Sequence, residues 1–336
     1  MSKKHIAIVC GGDSSEHDVS LRSAAGIWSW IDKERFDATI VTIQGSNWEA
    51  LDDNNVNDSV LHDNTGTKWV PVDKNDFSTV RNGEKVRFDF AYITIHGTPG
   101  ENGLLQGYLE MMRVPYSCCN VLAAALTFNK YACNHYLQDF GIRIAPSVLL
   151  RKASPTPPKE EIIAKVGLPC FVKSNVGGSS FGVTKVKTLE EMARAIERAY
   201  KEGNEVICEA FMKGVEITCG AYKTHDKAVA FPITEVVTKH EFFDYDAKYN
   251  GAVEEITPAR IPDEVRDKVQ ALTLHIYDIL GCNGIIRVDY ILTEGWTINL
   301  LEINTTPGMT PTSFIPQQVR AAGLEMRDVL TDIIEN

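Results

Sequence analysis

The stretch NGIIRVDYILTEGWTINLLEINTTPGMT, residues 283–310, decides how the chain is read. Two apolar runs flank a turn at Glu294 and Gly295, the pattern of an antiparallel hairpin. Each run carries polar groups where a core strand should carry none. Arg287 and Asp289 stand two apart on the first, Glu302 and Asn304 two apart on the second. Strand side chains alternate, so each pair projects on one face. Two carboxylates, an amide oxygen and an arginine thus share an otherwise apolar sheet. Hard oxygen donors of this kind suit Mg²⁺, which usually keeps substrate phosphates among its ligands. The plainer alternative is a buried ion pair beside a solvated strand face.

Outward from the hairpin, 336 residues exceed one core's worth, so two or three domains are expected. Apolar residues make up 44% and charged ones 24%, the balance of an ordinary folded protein. A formal charge of -11 argues against nucleic acid or an anionic membrane as the main partner, though a nucleotide site needs only a few local cations. The apolar run after Lys3 and Lys4 is too short for a signal segment and stops at Gly11 and Gly12. No run approaches the roughly 18 apolar residues of a spanning helix. The eight cysteines include no CxxC and read as small buried fillers in a reducing cytosol.

The first third alternates strands (5–10, 38–43, 88–95) with a helix near 20–31, which predicts an open α/β layer with a parallel sheet. Asn120 caps a helical run closed by Gly141. Strands follow near 169–174 and 205–209, with a capping box at Thr188 and Glu191 between them. From Glu209 onward strands dominate, and two amphipathic segments, 317–322 and 326–334, finish the chain. The expected units are 1–118, 119–208 and 209–336.

Lys173 ends an apolar strand and leads into SNVGGSSFGV, a loop rich in backbone donors with hydroxyls at Ser179 and Ser180. Glycines let such a loop wrap phosphate closely. It is neither a Walker A loop nor a dinucleotide fingerprint. A surface hairpin with a Gly-rich turn is the alternative, but a lysine inside a strand needs a partner. Lys130, in an apolar helix, and Lys248, in a polar aromatic loop, are ambiguous alone. Three separated lysines and a glycine loop ahead of an acidic hairpin form what is needed to hold ATP between two domains.

In this arrangement the chain resembles the D-alanine–D-alanine ligase family of the ATP-grasp superfamily. The resemblance runs nearly end to end: GGDSSEHDVSL (11–21), HGTPGENGLLQG (96–107), LTFNK (126–130), VKSNVGGSSFGV (172–183), GVEIT (214–218), YDAKY (245–249), GIIRVDY (284–290) and LLEINTTPGMTPTSFIP (300–316). It implies a three-domain ATP-grasp fold with ATP between the central and C-terminal domains. It also implies ADP-forming ligation of two D-alanines through an acyl phosphate, assisted by two Mg²⁺ ions (or Mn²⁺), in a cytoplasmic homodimer that serves peptidoglycan synthesis.

Carried over by motif, Asp289, Glu302 and Asn304 would hold metal. Lys130, Lys173 and Lys248 would contact the phosphates, with Ser179 and Ser180 in the loop. Glu209, Phe211, Met212 and Glu216 would take the adenosine. Glu16 would receive the first D-alanine's ammonium beside His96, and Ser313 with the Phe314 amide the second D-alanine's carboxylate. Arg287 and the Gly308 amide would stabilise the oxyanion. Ser179, Tyr249 and Glu16 would link the mobile loop, residues 238–251, to the site. Such a lid suits an acyl phosphate, which water destroys. Arg287 supplies a charge that does not titrate at neutral pH. No dedicated general base stands out.

Three positions depart from the family pattern: Ser174 for a proline, Gly177 for a glutamate and Asn102 for an aspartate. Tyr249 stands where relatives that make the D-alanine–D-lactate ester often carry phenylalanine, so it points to D-alanine as acceptor. The alternatives are another ATP-grasp carboxylate–amine ligase, a D-alanine–D-lactate ligase, or a nucleotide-binding protein without catalysis. The presence of Arg287 and all three metal-ligand candidates disfavours the last.

Overall fold

The computed structural model describes residues 3–52, 68–81, 83–177, 182–238 and 253–336. Three sheets organise them. The first has seven strands: β1 (Lys4–Gly11), β2 (Phe36–Gln44), β3 (Asn47–Leu51), β4 (Trp69–Asp73), β5 (Ser78–Arg81), β6 (Glu84–Arg87) and β7 (Phe90–Ile93), in the order β6-β5-β4-β3-β2-β1-β7. Ile6 to Cys10 are fully buried, as expected of a strand covered on both faces. The sheet is open, but only β2, β1 and β7 are parallel. These are the three strands expected from the sequence; from β3 to β6, outside that expectation, the pairing is antiparallel. The cause is the short turns after β2, β4 and β5, since a parallel neighbour needs a long crossover.

The second sheet is antiparallel: β8 (Ser147–Arg151), β9 (Cys170–Ser174), β10 (Thr184–Val186) and β11 (Glu205–Ala210), in the order β10-β9-β11-β8. Helices Lys159–Val166 and Met192–Ala199 cover it. The capping box at Thr188 and Glu191 is present. β12 (Val215–Lys223), β13 (Ala228–Ala230), β14 (Thr234–Thr238), β15 (Val253–Ile256), β16 (Ile286–Thr293) and β17 (Thr297–Asn304) form the third, also antiparallel.

Helix Asp263–Ile279, an element not expected from the sequence, packs on this third sheet. Its stripe of Val265, Val269, Thr273 and Ile276 has helical spacing and is buried, a legible signal among charged neighbours. The helical run from Asn120 breaks into Val121–Phe128 and Lys130–Gln138. The Asn120 side chain caps the first helix, and Asn129, extended at φ -92° and ψ 94°, caps the second. Lys130 therefore opens a helix instead of riding inside one.

Cys118 packs with the first sheet and Cys119 with the third. The helices 121–138 share the third sheet's core through Ala123, Cys133 and Leu137. The boundary expected after residue 208 falls inside β11, so Glu209 belongs to the second sheet.

The chain's end returns to its beginning. Ile315, Val319, Val329 and Leu330, on helices Phe314–Ala321 and Met326–Glu335, share a core with Ile6, Ile8 and Ile27. Gly26, on helix His17–Trp30, permits the approach: a Cβ there would stand 2.4 Å from the Met309 carbonyl oxygen. Buried Gln318 accepts from the Gly220 amide at 2.9 Å and donates to Thr218 O at 3.0 Å, which fixes helix Phe314–Ala321 on β12. All eight cysteines are free and buried. Among the described residues no helix is long and apolar enough to cross a membrane.

Candidate active site

β16 and β17 pair in the register the alternation requires, Arg287 opposite Asn304 and Asp289 opposite Glu302. The hairpin thus brings all four polar groups to one face, before a bulge just beyond Asp289. Arg287 forks onto Asp289, Nε to Oδ1 at 2.9 Å and Nη2 to Oδ2 at 2.7 Å. Both residues are buried. Burial opposes the guanidinium charge, but Asp289, Glu302 and Glu101 outweigh it and raise the Arg287 pKa. With the amide oriented to satisfy both ends, the Asn304 oxygen accepts from Arg287 Nη2 at 3.0 Å and its nitrogen donates to Glu101 at 2.9 Å.

Lys130 reaches the same face from the start of its helix. Its ammonium donates to Gly177 O at 2.7 Å and stands 3.8 Å from Glu302. It joins Gly177 to the hairpin. Lys173, on β9, donates to Glu209 of β11 at 2.7 Å. Burial opposes this charge as well; Glu209, with Glu302 and Glu216, prevails and raises the lysine's pKa. Phe211 follows β11, edge-on to Phe171, with the Lys185 ammonium 4.2 Å from its ring centre. Phe211 and Met212 lie on the short link from β11 to β12, which carries Glu216.

A cavity of about 900 Å³ opens over the hairpin. It gathers Glu16, His96, Lys130, Arg287, Glu302, Asn304, Gly308, Ser313 and Phe314 from all three parts of the chain. Glu16 stands at the start of helix His17–Trp30. Ser313 stands at the start of helix Phe314–Ala321, its hydroxyl 3.1 Å from the Thr310 amide and 2.7 Å from the Thr310 hydroxyl. The Arg287 guanidinium lies 5.4 Å from the centre of the Phe314 ring. Lys173, Glu209, Phe211, Met212, Glu216 and Asp289 do not line this cavity. Ser179, Ser180, Lys248 and Tyr249 lie outside the described residues, as does nearly all of the expected lid.

Glu101 is not among the site residues expected from the sequence. It lines the cavity, accepts from the Gly97 amide at 2.7 Å and meets Asn304. Burial first, then the Glu16 charge, pushes its carboxyl up to about 7 against the Gly97 amide, the Thr306 hydroxyl and Lys130. A signal existed: an acid in a Gly/Pro turn just beyond β7, where open α/β sheets place ligands.

Among the described residues no group of three or more His, Cys, Asp or Glu gathers as a metal cluster. The candidate donors are two carboxylates and an amide oxygen on one face. An all-oxygen set of this sort fits Mg²⁺ or Mn²⁺ better than an ion that seeks nitrogen or sulfur.

Two family models match the chain, described as D-ala D-ala ligase N-terminus over residues 5–119 and D-ala D-ala ligase C-terminus over residues 136–335. A D-alanine--D-alanine ligase of Phocaeicola vulgatus is 64% identical over 99% of both chains. One from Porphyromonas gingivalis strain W83 is 54% identical over 100% of this chain and 98% of its own. Among solved structures, the VanG D-Ala:D-Ser ligase of Enterococcus faecalis superimposes with a TM-score of 0.87 at 30% identity, covering 99% of both chains. The chain belongs to the D-alanine–D-alanine ligase family and has its ATP-grasp fold.

Proposed function

We propose that the protein joins two D-alanines to D-alanyl-D-alanine, with ATP converted to ADP and phosphate, for peptidoglycan precursor synthesis. The observation that carries this reading is the single cavity that brings Glu16, Arg287 and Ser313 together from distant parts of the chain. An ammonium, a developing oxyanion and a carboxylate each have a complementary group there.

The first D-alanine places its ammonium against Glu16, with His96 alongside. Its carboxylate takes the γ-phosphoryl group of ATP and becomes an acyl phosphate. Lys130 and Lys173 orient the phosphates, a task in which positioning and charge matter more than proton transfer. Glu209, Phe211, Met212 and Glu216 hold the adenosine. When bound by Asp289, Glu302 and Asn304, two Mg²⁺ ions supply further neutralisation of phosphate charge. The second D-alanine seats its carboxylate at Ser313 and the Phe314 amide, and its amine attacks the acyl carbon. Arg287 and the Gly308 amide receive the oxyanion, and each such donor contributes about 3–4 kcal/mol in comparable sites. Phosphate then leaves and the peptide bond is formed. Ser179, Ser180, Lys248 and Tyr249 complete the loop and lid in this reading. The homodimer and the cytosolic setting also belong to it.

The likeness to a D-Ala:D-Ser ligase raises D-serine as a second acceptor. The decisive assay measures phosphate release and product identity with ATP, Mg²⁺ and a panel of D-alanine, D-serine and D-lactate. D-alanyl-D-alanine is expected as the main product at neutral pH. Product from D-lactate or D-serine with none from D-alanine alone would overturn the reading.

A further inference from the structure

Asn175 follows β9 directly and is fully buried. Its side-chain nitrogen donates to Asn129 Oδ1 and to Glu205 Oε2, both at 2.8 Å. Its side-chain oxygen accepts from the Tyr131 amide at 2.8 Å. Its own carbonyl accepts from the Lys130 amide at 3.1 Å, and its amide donates to Glu205 O at 3.0 Å. Asn129 Oδ1 in turn accepts from the Ala132 amide at 3.0 Å, and Glu205 Oε1 accepts from Arg151 Nε at 2.9 Å.

The first amides of a helix have no partner within it. Here those of Lys130, Tyr131 and Ala132 are taken by Asn175 O, Asn175 Oδ1 and Asn129 Oδ1. Asn175 therefore fixes where the Lys130 helix begins. It also bears on Gly177, which lies two residues on and accepts from Lys130 Nζ at 2.7 Å. We propose that Asn175 is a positioning residue for the nucleotide phosphates, an amide that locks Lys130 and Gly177 into one frame. The inference rests on the reading of Lys130 as a phosphate contact. An amide suits the place because it gives two protons and accepts one; a carboxylate would lose both donors and face Glu205.

The test uses the full-length protein and measures ATP binding by calorimetry, together with KM for ATP and for D-alanine. Asn175→Ala is expected to weaken ATP about tenfold, the scale of a lost buried hydrogen bond, with KM for D-alanine within about twofold. Asn175→Asp is expected to be worse. In a Lys130→Ala background, Asn175→Ala should change ATP affinity less than about twofold, since coupled residues act as one unit. If Asn175→Ala does not fold, Asn129→Ser, which keeps a capping oxygen and loses the reach to Asn175, is expected to show the same ATP-selective loss. Full additivity with Lys130→Ala, or equal losses for ATP and D-alanine, would overturn the inference. If Lys130→Ala leaves ATP affinity unchanged, the underlying assignment of Lys130 fails instead.

Discussion

Two arginine–carboxylate forks sit on the third sheet, alike in geometry and opposite in setting. Arg287 grips Asp289 at 2.9 and 2.7 Å, and Arg260 grips Glu235 at 2.9 and 2.7 Å. The Arg287 side chain is 10% exposed and the Arg260 side chain 63%. In the first fork both charges are withdrawn from water, so each depends on the other. In the second, the Glu235 side chain is nearly as buried, at 11% exposure, and only the arginine stands in water, which screens the pair and lowers its worth. Shape alone thus does not separate the two forks; what separates them is that Arg287 is buried and lines the cavity, whereas Arg260 stands in water.

The largest effect should come from breaking the buried fork. Asp289→Asn and Arg287→Met are each expected to lower kcat for phosphate release at least about a thousandfold, as loss of a central electrostatic group does. Each also strands a buried charge, at about 3–5 kcal/mol of unfolding free energy in urea. Arg287→Met with Asp289→Leu should recover most of that stability and none of the activity. A double variant as unstable as the singles would break the comparison, because the fork's cost would then not be that of a buried charge.

How much of this is legible in the sequence depends on the distance over which each feature is specified. The common face of Arg287, Asp289, Glu302 and Asn304 follows from a period of two, and the structure has that register. The capping role of Asn120 is equally local. The grip of Arg287 on Asp289 is not legible, since alternation gives a shared side and not a partner. Glu101 acquires its surroundings only when Asn304, some two hundred residues on, is folded against it. Asn175 is the same case: its partners come from β11 and from helix Lys130–Gln138 with its cap, elements far apart in the chain. The helix at Asp263–Ile279 is legible from its apolar stripe, although charged residues surround that stripe in the first turns.

A smaller effect should separate the lysine pair from the arginine fork. Glu209 is buried too and Lys173 largely so, but a single bond at 2.7 Å joins them across neighbouring strands. A lysine is a point charge on a flexible stem and can turn to a phosphate, whereas a planar fork holds one geometry. Glu209→Gln keeps an acceptor for Lys173. It is expected to raise KM for ATP about tenfold, leave KM for D-alanine unchanged and cost about 1–2 kcal/mol of stability. A stability loss as large as that of Asp289→Asn would show that the two buried pairs are equivalent and that bond count does not matter.

The smallest effect belongs to the exposed fork, and pH exposes its sign. The hydrogen bond from Arg260 holds the Glu235 carboxyl below its ordinary value against the opposing effect of burial. A folded-state pKa below the unfolded one means that the unfolded chain takes up the proton first as pH falls. The pair's contribution is therefore present above the unfolded carboxylate value of about 4.3 and fades as pH drops through the lower folded value. Glu235→Gln is expected to melt below the parent protein at pH 7, with the gap closing toward pH 3, and to leave kcat within about twofold at neutral pH, as for a screened pair. Thermal melts of both proteins across that range check the sign. A gap that stays constant to pH 3 would mean that Glu235 acts through its shape and neutral hydrogen bonds, and the exposed fork would cease to be the electrostatic counterpart of the buried one.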